Sequence, residues 1–426
     1  MNFTKNTLKN GLRIITIPMS QLKSVAVMIL VGAGSRYEEE ERQGVAHFIE
    51  HMMFKGTKRR PTPLAVASEM DAMGAEFNAF TAHELTGFYA KSAAKNFARV
   101  LDVLVDILLN SRFAEAELKR ERGVILEERR MYRDNPRDHI WDLYSELSFG
   151  GHPLGWPVIG QERTIRAIER QDLFDYCRRW YKPGNIAVAV AGDISADKAI
   201  AEVRRLLGGM VPAEWERAIP FTGTEQLQPR VLLERRKTDQ THLMLGVRGY
   251  PLDHPRKHAY TVLNTVLGTG MSSRLFTKVR EELGLAYYIN SSVLSHTDAG
   301  TIFARGGVSN HRVNRALAAI IGEFRRLKEE LVDPEELVKA KEMIRGRLAL
   351  GLESSDDVAE FVVSQEMLKG KIETPEELMK KVDAVTAEEI REVARELFTS
   401  ETLNLAVVGP YARDDEATFL SLLDLS

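Results

Sequence analysis

The chain has one cysteine in 426 residues, Cys177. A lone thiol cannot staple the fold, which fits a reducing compartment, and a small buried hydrophobe is its expected role. Neither charge dominates. Lys and Arg number 58 against 61 Asp and Glu, a net charge of −3, so no basic field points to nucleic acid or anionic lipid. Long apolar runs are missing too: the longest, "SVAVMILVGAG" from Ser24, is about half the length that spans a bilayer. The first twenty residues have neither the continuous apolar core nor the small-residue cleavage site of a secretory signal. These absences make a cytoplasmic protein the expectation, with no nucleic-acid and no membrane partner.

What is present is enough apolar residue, 44% of the chain, for two cores of ordinary size. "NIAVAVAGDISADKAIAEVRRLL" from Asn185 and "TLNLAVVGPYARDDEATFLSLL" from Thr402 share the order strand, turn, helix. Gly192 and Gly409 correspond at an offset that also carries Ser24 onto Thr241, which begins another strand ending in glycine. Two matches at one offset, near half the chain length, suggest duplication. The expected fold is therefore α+β: two similar halves, each a mixed β-sheet with helices packed on it. The Gly- and Pro-containing stretch from Gly208 to Gln226 lacks helical periodicity and reads as the connection. The boundaries expected are a first half over 1–212, a linker over 213–227 and a second half over 228–426.

Chemistry concentrates in "GVAHFIEHMMFKGT", Gly44 to Thr57. On a helix His47 and His51 lie about 40° apart and Glu50 about 60° to the other side of His47, so all three share one arc. Two imidazoles one turn apart suit zinc, and a carboxylate beside them suits proton transfer from water. With only 10 histidines in the chain, this pairing with an acid at a set place is unexpected by chance. A catalytic zinc needs a third protein ligand. The helix Phe113 to Tyr132 has an apolar stripe at Leu118, Ile125 and Tyr132. Against that stripe fall Glu121 and Glu128, whereas Glu127 falls about 180° away, towards water. Acids on a core-facing stripe are costly unless paired or metal-bound, and ion pairs with nearby arginines are the plainer alternative.

The order His47-x-x-Glu50-His51 followed by Glu128 in "ERGVILEE" resembles the inverted zinc motif of the pitrilysin-type (M16) metallopeptidases. "HFIEHMMFKGT", "FNAFTAHELTGFYA", "GHPLGWPVIG" and "SSRLFTKVREELGLAYY" are similar to blocks of that family in their family order. The size matches its short bacterial members and the mitochondrial processing peptidase β-subunit. The resemblance implies one zinc per chain held by His47, His51 and Glu128, with Glu50 as general base and Glu121 supporting a histidine ligand. It marks Arg280 and Tyr287, seven apart around Gly284, as groups of the second half that assist the transition state. It also places Asn78, Ala79 and Phe80 on a sheet edge that receives the substrate backbone. A plain hairpin is the alternative reading of that segment.

Mapped by the repeat offset, the histidine motif falls on Asn264, Leu267 and Gly268, so the second half has lost the site. That fits the plan the resemblance implies, a catalytic half over 1–212 and a second half that closes over it as a clamshell. The expected activity is zinc-dependent endopeptidase action on oligopeptides or unstructured segments inside a closed chamber, with peptides as partners and a homodimer as the assembly. A noncatalytic assembly subunit is the contrasting reading, against which the intact motif argues. A maturation factor for a single peptide is a further one.

Overall fold

The computed structural model describes residues 1–223 and 226–425. Two compact units result. The first comprises Met1–Arg130, Trp156–Ile219 and Ala349–Thr374; the second comprises Met131–Gly155, Pro220–Leu348 and Pro375–Ser426, Ser426 itself lying outside the described residues.

The sheet of the first unit has six strands: β1 (Thr4–Thr7), β2 (Arg13–Pro18), β3 (Ser24–Val31), β4 (Glu76–Thr81), β5 (Thr86–Ala93) and β6 (Ile186–Gly192). Their order is β1-β2-β6-β3-β5-β4. Only β2 and β6 run parallel; the other neighbours are antiparallel. The central strands, SVAVMILV and IAVAVAG, are buried almost throughout, as expected for strands covered on both faces. One face carries the main core, with Val27, Ile29 and Val188 under Phe48, Met52, Val100 and Leu104. The other face, with Ile15, Met28, Leu30 and Ala189, is closed by Val358, Ala359, Val362 and Val363 of the helix Ser355–Lys369.

The second unit repeats this plan. Its strands are β7 (Arg230–Arg235), β8 (Gln240–Gly249), β9 (Ala286–Ser295), β10 (Gly300–Ser309) and β11 (Asn404–Gly409), ordered β7-β11-β8-β10-β9. Parallel β7 and β11 match β2 and β6, and the antiparallel run β11-β8-β10-β9 matches β6-β3-β5-β4. Gly192 and Gly409 indeed end equivalent strands, so the fold bears out the two similar halves. The second face of this sheet is closed by Ile140, Leu143 and Tyr144 of the helix Pro136–Phe149.

The linear boundaries expected from the sequence differ from this arrangement. No helix or strand lies between Leu207 and Arg230 among the described residues, and of the expected linker 213–227, Thr224 and Glu225 lie outside them. Each unit, however, draws one helix from the other half of the sequence. The physical reason is that each sheet is apolar on both faces, and the second cover comes from a distant amphipathic segment. Helical periodicity marks such a segment as one that must bury a face, but not which sheet it covers.

Among the described residues no helix is long and apolar enough to cross a membrane.

Candidate metal centre

The histidine helix, Val45–Met53, starts at Gly44, whose φ of +92° is left-handed; a Cβ there would meet Ile159 O at 2.5 Å. Its first turn is capped from outside. The Glu38 carboxylate accepts hydrogen bonds from Gly44 N–H at 2.7 Å and Ala46 N–H at 2.9 Å, satisfying donors that every helix start leaves open. Burial pushes that carboxyl up to about 8, against the two N–H groups that pull it down. Phe48, Ile49 and Met52 anchor the helix in the core, which fixes the rotation that presents His47, Glu50 and His51.

Facing it is the long helix Glu115–Asp134. Leu118 and Ile125 are buried, as the stripe predicts, and Glu121 is buried beside them. Glu127 points to solvent and pairs with Arg130. Tyr132, placed on the stripe by its spacing of seven, is instead 43% exposed: the helix leaves the first unit after Arg130, and that unit's core no longer underlies it there.

His47, His51 and Glu128 converge, each offering one ligand atom, with all of these within 4.8 Å of one another. Glu128 Oε2 lies 3.4 Å from His51 Nε2 and 3.8 Å from His47 Nε2. Zinc bonds of about 2.0–2.1 Å in a tetrahedron separate ligand atoms by about 3.3 Å, so the donor set and spacing fit zinc with little adjustment. On its other side, His51 Nδ1 meets Glu121 Oε1 at 2.9 Å, and Lys55 Nζ holds Glu121 Oε2 at 2.8 Å. This chain of contacts fixes the His51 ring so that Nε2 faces the cluster. His47 Nδ1 is buried with no hydrogen-bond partner among the described residues.

The two imidazoles differ sharply. Burial, with the neighbouring His51, brings His47 down to about 4 despite Glu128. Burial also pulls on His51, but the hydrogen bonds to Glu121 and Glu128 outweigh it and raise this ring to about 9. Glu128 is lowered, foremost by its hydrogen bond to His51. Glu121 is lowered as well: burial opposes the shift, and His51 and Lys55 overcome it. Glu50 is raised, chiefly by burial.

Strand β4 is the free edge of the first sheet, paired on one side only, with β5. Asn78 is exposed, whereas Ala79 is buried and Phe80 half-buried. Asn78 Oδ1 accepts from Ala79 N–H at 2.9 Å, so along this edge a backbone donor and the Asn78 side chain already engage each other. Alternation turns Phe77, Ala79 and Thr81 towards the histidine helix. Phe77 sits 5.9 Å from Phe54, and the Thr81 hydroxyl donates to Glu50 Oε2 at 2.7 Å.

Arg280 and Tyr287 belong to the second unit. Arg280 lies over the rings of Phe276 at 4.7 Å and Tyr287 at 5.7 Å, and Tyr287 is 75% exposed. Tyr288, next to it, turns the other way, under Arg137 and against His242. In the helix Lys257–Gly268, which carries the positions matching the histidine motif, a Cβ at Gly268 would meet Ser291 N at 2.3 Å. No histidine fits there.

Three residues of the site escaped sequence reasoning. Lys55 stands four after His51, a spacing that offered a signal. Thr81 is two after Ala79 on the strand, which offered a weaker one. Glu38 reaches the helix start from outside it and gave none. Cys177 packs against the core, and burial pushes its thiol up.

Comparison with known proteins agrees with this geometry. Residues 13–162 match the family description Insulinase (Peptidase family M16), and residues 167–344 match Peptidase M16 inactive domain. A Bacillus subtilis protein described as "Uncharacterized zinc protease YmxG" is 37% identical over 95% of this chain and 97% of its own length. A Rickettsia felis protein described as a zinc protease is 33% identical over 96% of this chain and 98% of its own. A protease from Helicobacter pylori has the same fold, with a TM-score of 0.88 at 22% identity, over 96% of this chain and 99% of that one. The chain therefore belongs to peptidase family M16, as one of its short two-domain members.

Proposed function

We propose that this protein is a zinc-dependent endopeptidase that hydrolyses oligopeptides or unstructured polypeptide segments. The observation that carries the reading is the convergence of His47, His51 and Glu128 with Glu50 beside them on the same helix. His47, His51 and Glu128 would hold one zinc, which when bound supplies Lewis acidity to water and to the peptide carbonyl. Glu50 is the general base: its carboxylate takes a proton from the attacking water and returns it to the leaving amine. Glu121 and Lys55 keep His51 oriented. The β4 edge supports binding of an extended peptide by backbone pairing, with Asn78, Ala79 and Phe80 along the contact and little regard for side-chain identity.

The family resemblance extends the reading to Arg280 and Tyr287 as donors that stabilise the oxyanion, and to an enclosed chamber that excludes folded proteins. A cytoplasmic homodimer completes the proposal, and sedimentation of the purified protein tests the assembly.

The decisive experiment is incubation of the zinc-loaded protein with a peptide mixture, reading cleavage sites by mass spectrometry. Cleavage is expected to stop on chelation and return with zinc. Glu50→Gln should retain about one zinc per chain and cut nothing. Failure of the native protein to hold zinc, or a Glu50→Gln variant that cuts at the native rate, refutes the proposal.

A further inference from the structure

We infer that Thr81 is the positioning residue of the general base: its hydroxyl locks the Glu50 carboxylate in the orientation that proton transfer needs. The inference rests on the peptidase reading for its consequence and on geometry for its substance.

Among the described residues, the 2.7 Å bond from Thr81 Oγ1 to Oε2 is the one hydrogen bond that the Glu50 carboxylate makes. The last torsion of a glutamate is broad and nearly two-fold. Without a donor, its two oxygens would exchange places and swing through an arc comparable to the distance over which proton transfer fails. With Oε2 occupied, Oε1 is left as the free acceptor.

The donor is itself rigid. Thr81 ends β4, where it pairs with Thr86. The Thr86 hydroxyl is tied to Ala33 O at 2.8 Å, and Ala82 N–H donates to Leu85 O at 2.8 Å in the turn that follows. The hydroxyl is thus held by a closed hairpin, with Ala79 and Phe77 packing the same face of the strand onto the core. The strand proposed to receive the substrate backbone is also the strand that sets the base, so the base and the docking edge keep a fixed mutual register.

The test compares Thr81→Val, which removes the hydroxyl, with Thr81→Ser, which restores it. In crystals of the metal-free protein, Thr81→Val should show the Glu50 carboxylate turned from its native place, with His47, His51 and Glu128 unmoved. Loaded with zinc to the native level, Thr81→Val should lose about 10- to 100-fold in kcat, the scale of a small misplacement of a reacting group, with KM unchanged. Thr81→Ser should recover most of that loss. The inference is overturned by a Glu50 carboxylate that stays in place in Thr81→Val, by native turnover in that variant, by a Thr81→Ser variant as slow as Thr81→Val, or by loss of zinc, which would mean that the hydroxyl supports the ligands instead. A native protein that binds zinc and cuts no peptide would refute the peptidase reading and leave the crystallographic arm to decide Thr81.

Discussion

His47 and His51 stand one turn apart on the same helix, yet their surroundings drive their protons in opposite directions. His47, buried against a second imidazole, is neutral at pH 7.5, whereas His51, between two carboxylates, holds a proton up to about 9. A metal must displace that proton. Calorimetric titration of the metal-free protein with zinc at pH 7.5, in buffers of different ionisation enthalpy, is expected to give release of between about one and two protons per metal, one from His51 and part of a second from water at the zinc, whose pKa falls to about 7. Release of less than one proton, or of more than two, would contradict the asymmetry. In Glu121→Gln the number should fall, because one of the two carboxylates that hold the proton is gone. Much of this site was legible in the sequence, since residues one turn apart share a face whatever the fold around them. The same arithmetic separated Glu128 from Glu127. It failed for Tyr132 because a stripe records the helix and not where the core beneath it ends, and it had no means of reaching Glu38, which itself lies outside any helix or strand.

At the scale of one element, the histidine helix is nine residues long, short enough that its start matters to its stability. The Glu38 carboxylate caps two N–H groups there, and both are buried. Glu38→Ala should cost about 1–3 kcal/mol in urea unfolding, the scale of leaving buried donors unmatched. The pH dependence has a definite sign. A carboxyl raised in the folded state from its ordinary 4.5 to about 8 contributes stability that is fully present below 4.5 and is lost as pH rises through 8. Glu38→Gln does not titrate, so the native protein should lose stability relative to that variant as the pH is taken from 4.5 towards 8. A constant difference across that range would show that Glu38 titrates normally. Strands were the most legible elements: apolar runs such as SVAVMILV read as strands, and they are, with the added finding that both faces are covered.

For the molecule as a whole, the exchange of helices between sequence halves decides what can be cut apart. Val363 is fully buried against the sheet that holds up the histidine helix, although more than three hundred residues separate it from His51. Val363→Asp would bury a lone charge, and it should destabilise the catalytic unit by about 3–5 kcal/mol and lower its zinc content. A fragment ending near Pro212 lacks that helix and should not fold as a zinc-binding unit. The proposed role of Arg280 is testable in the intact chain: Arg280→Ala should lower kcat by about 100-fold, as loss of an oxyanion donor does, with zinc content unchanged. Native turnover in that variant would remove Arg280 from the mechanism. Duplication was visible in two glycines at one offset, but the exchange was not, because a helix carries its apolar face without an address.

That missing address has a consequence in time. A ribosome adds about 5–20 residues per second. The last strand of the first sheet, β6, is complete at Gly192, and the helix that closes its second face begins only at Ser355. For roughly ten to thirty seconds the nascent chain therefore carries an apolar face built from Ile15, Met28, Leu30 and Ala189 with nothing to cover it. The helix Pro136–Phe149 has the opposite experience: it emerges before any strand of its own sheet exists. Birth order in this chain thus leaves a sheet waiting for a helix and a helix waiting for a sheet, and trigger-type chaperones that bind exposed apolar surface should engage it between those two moments.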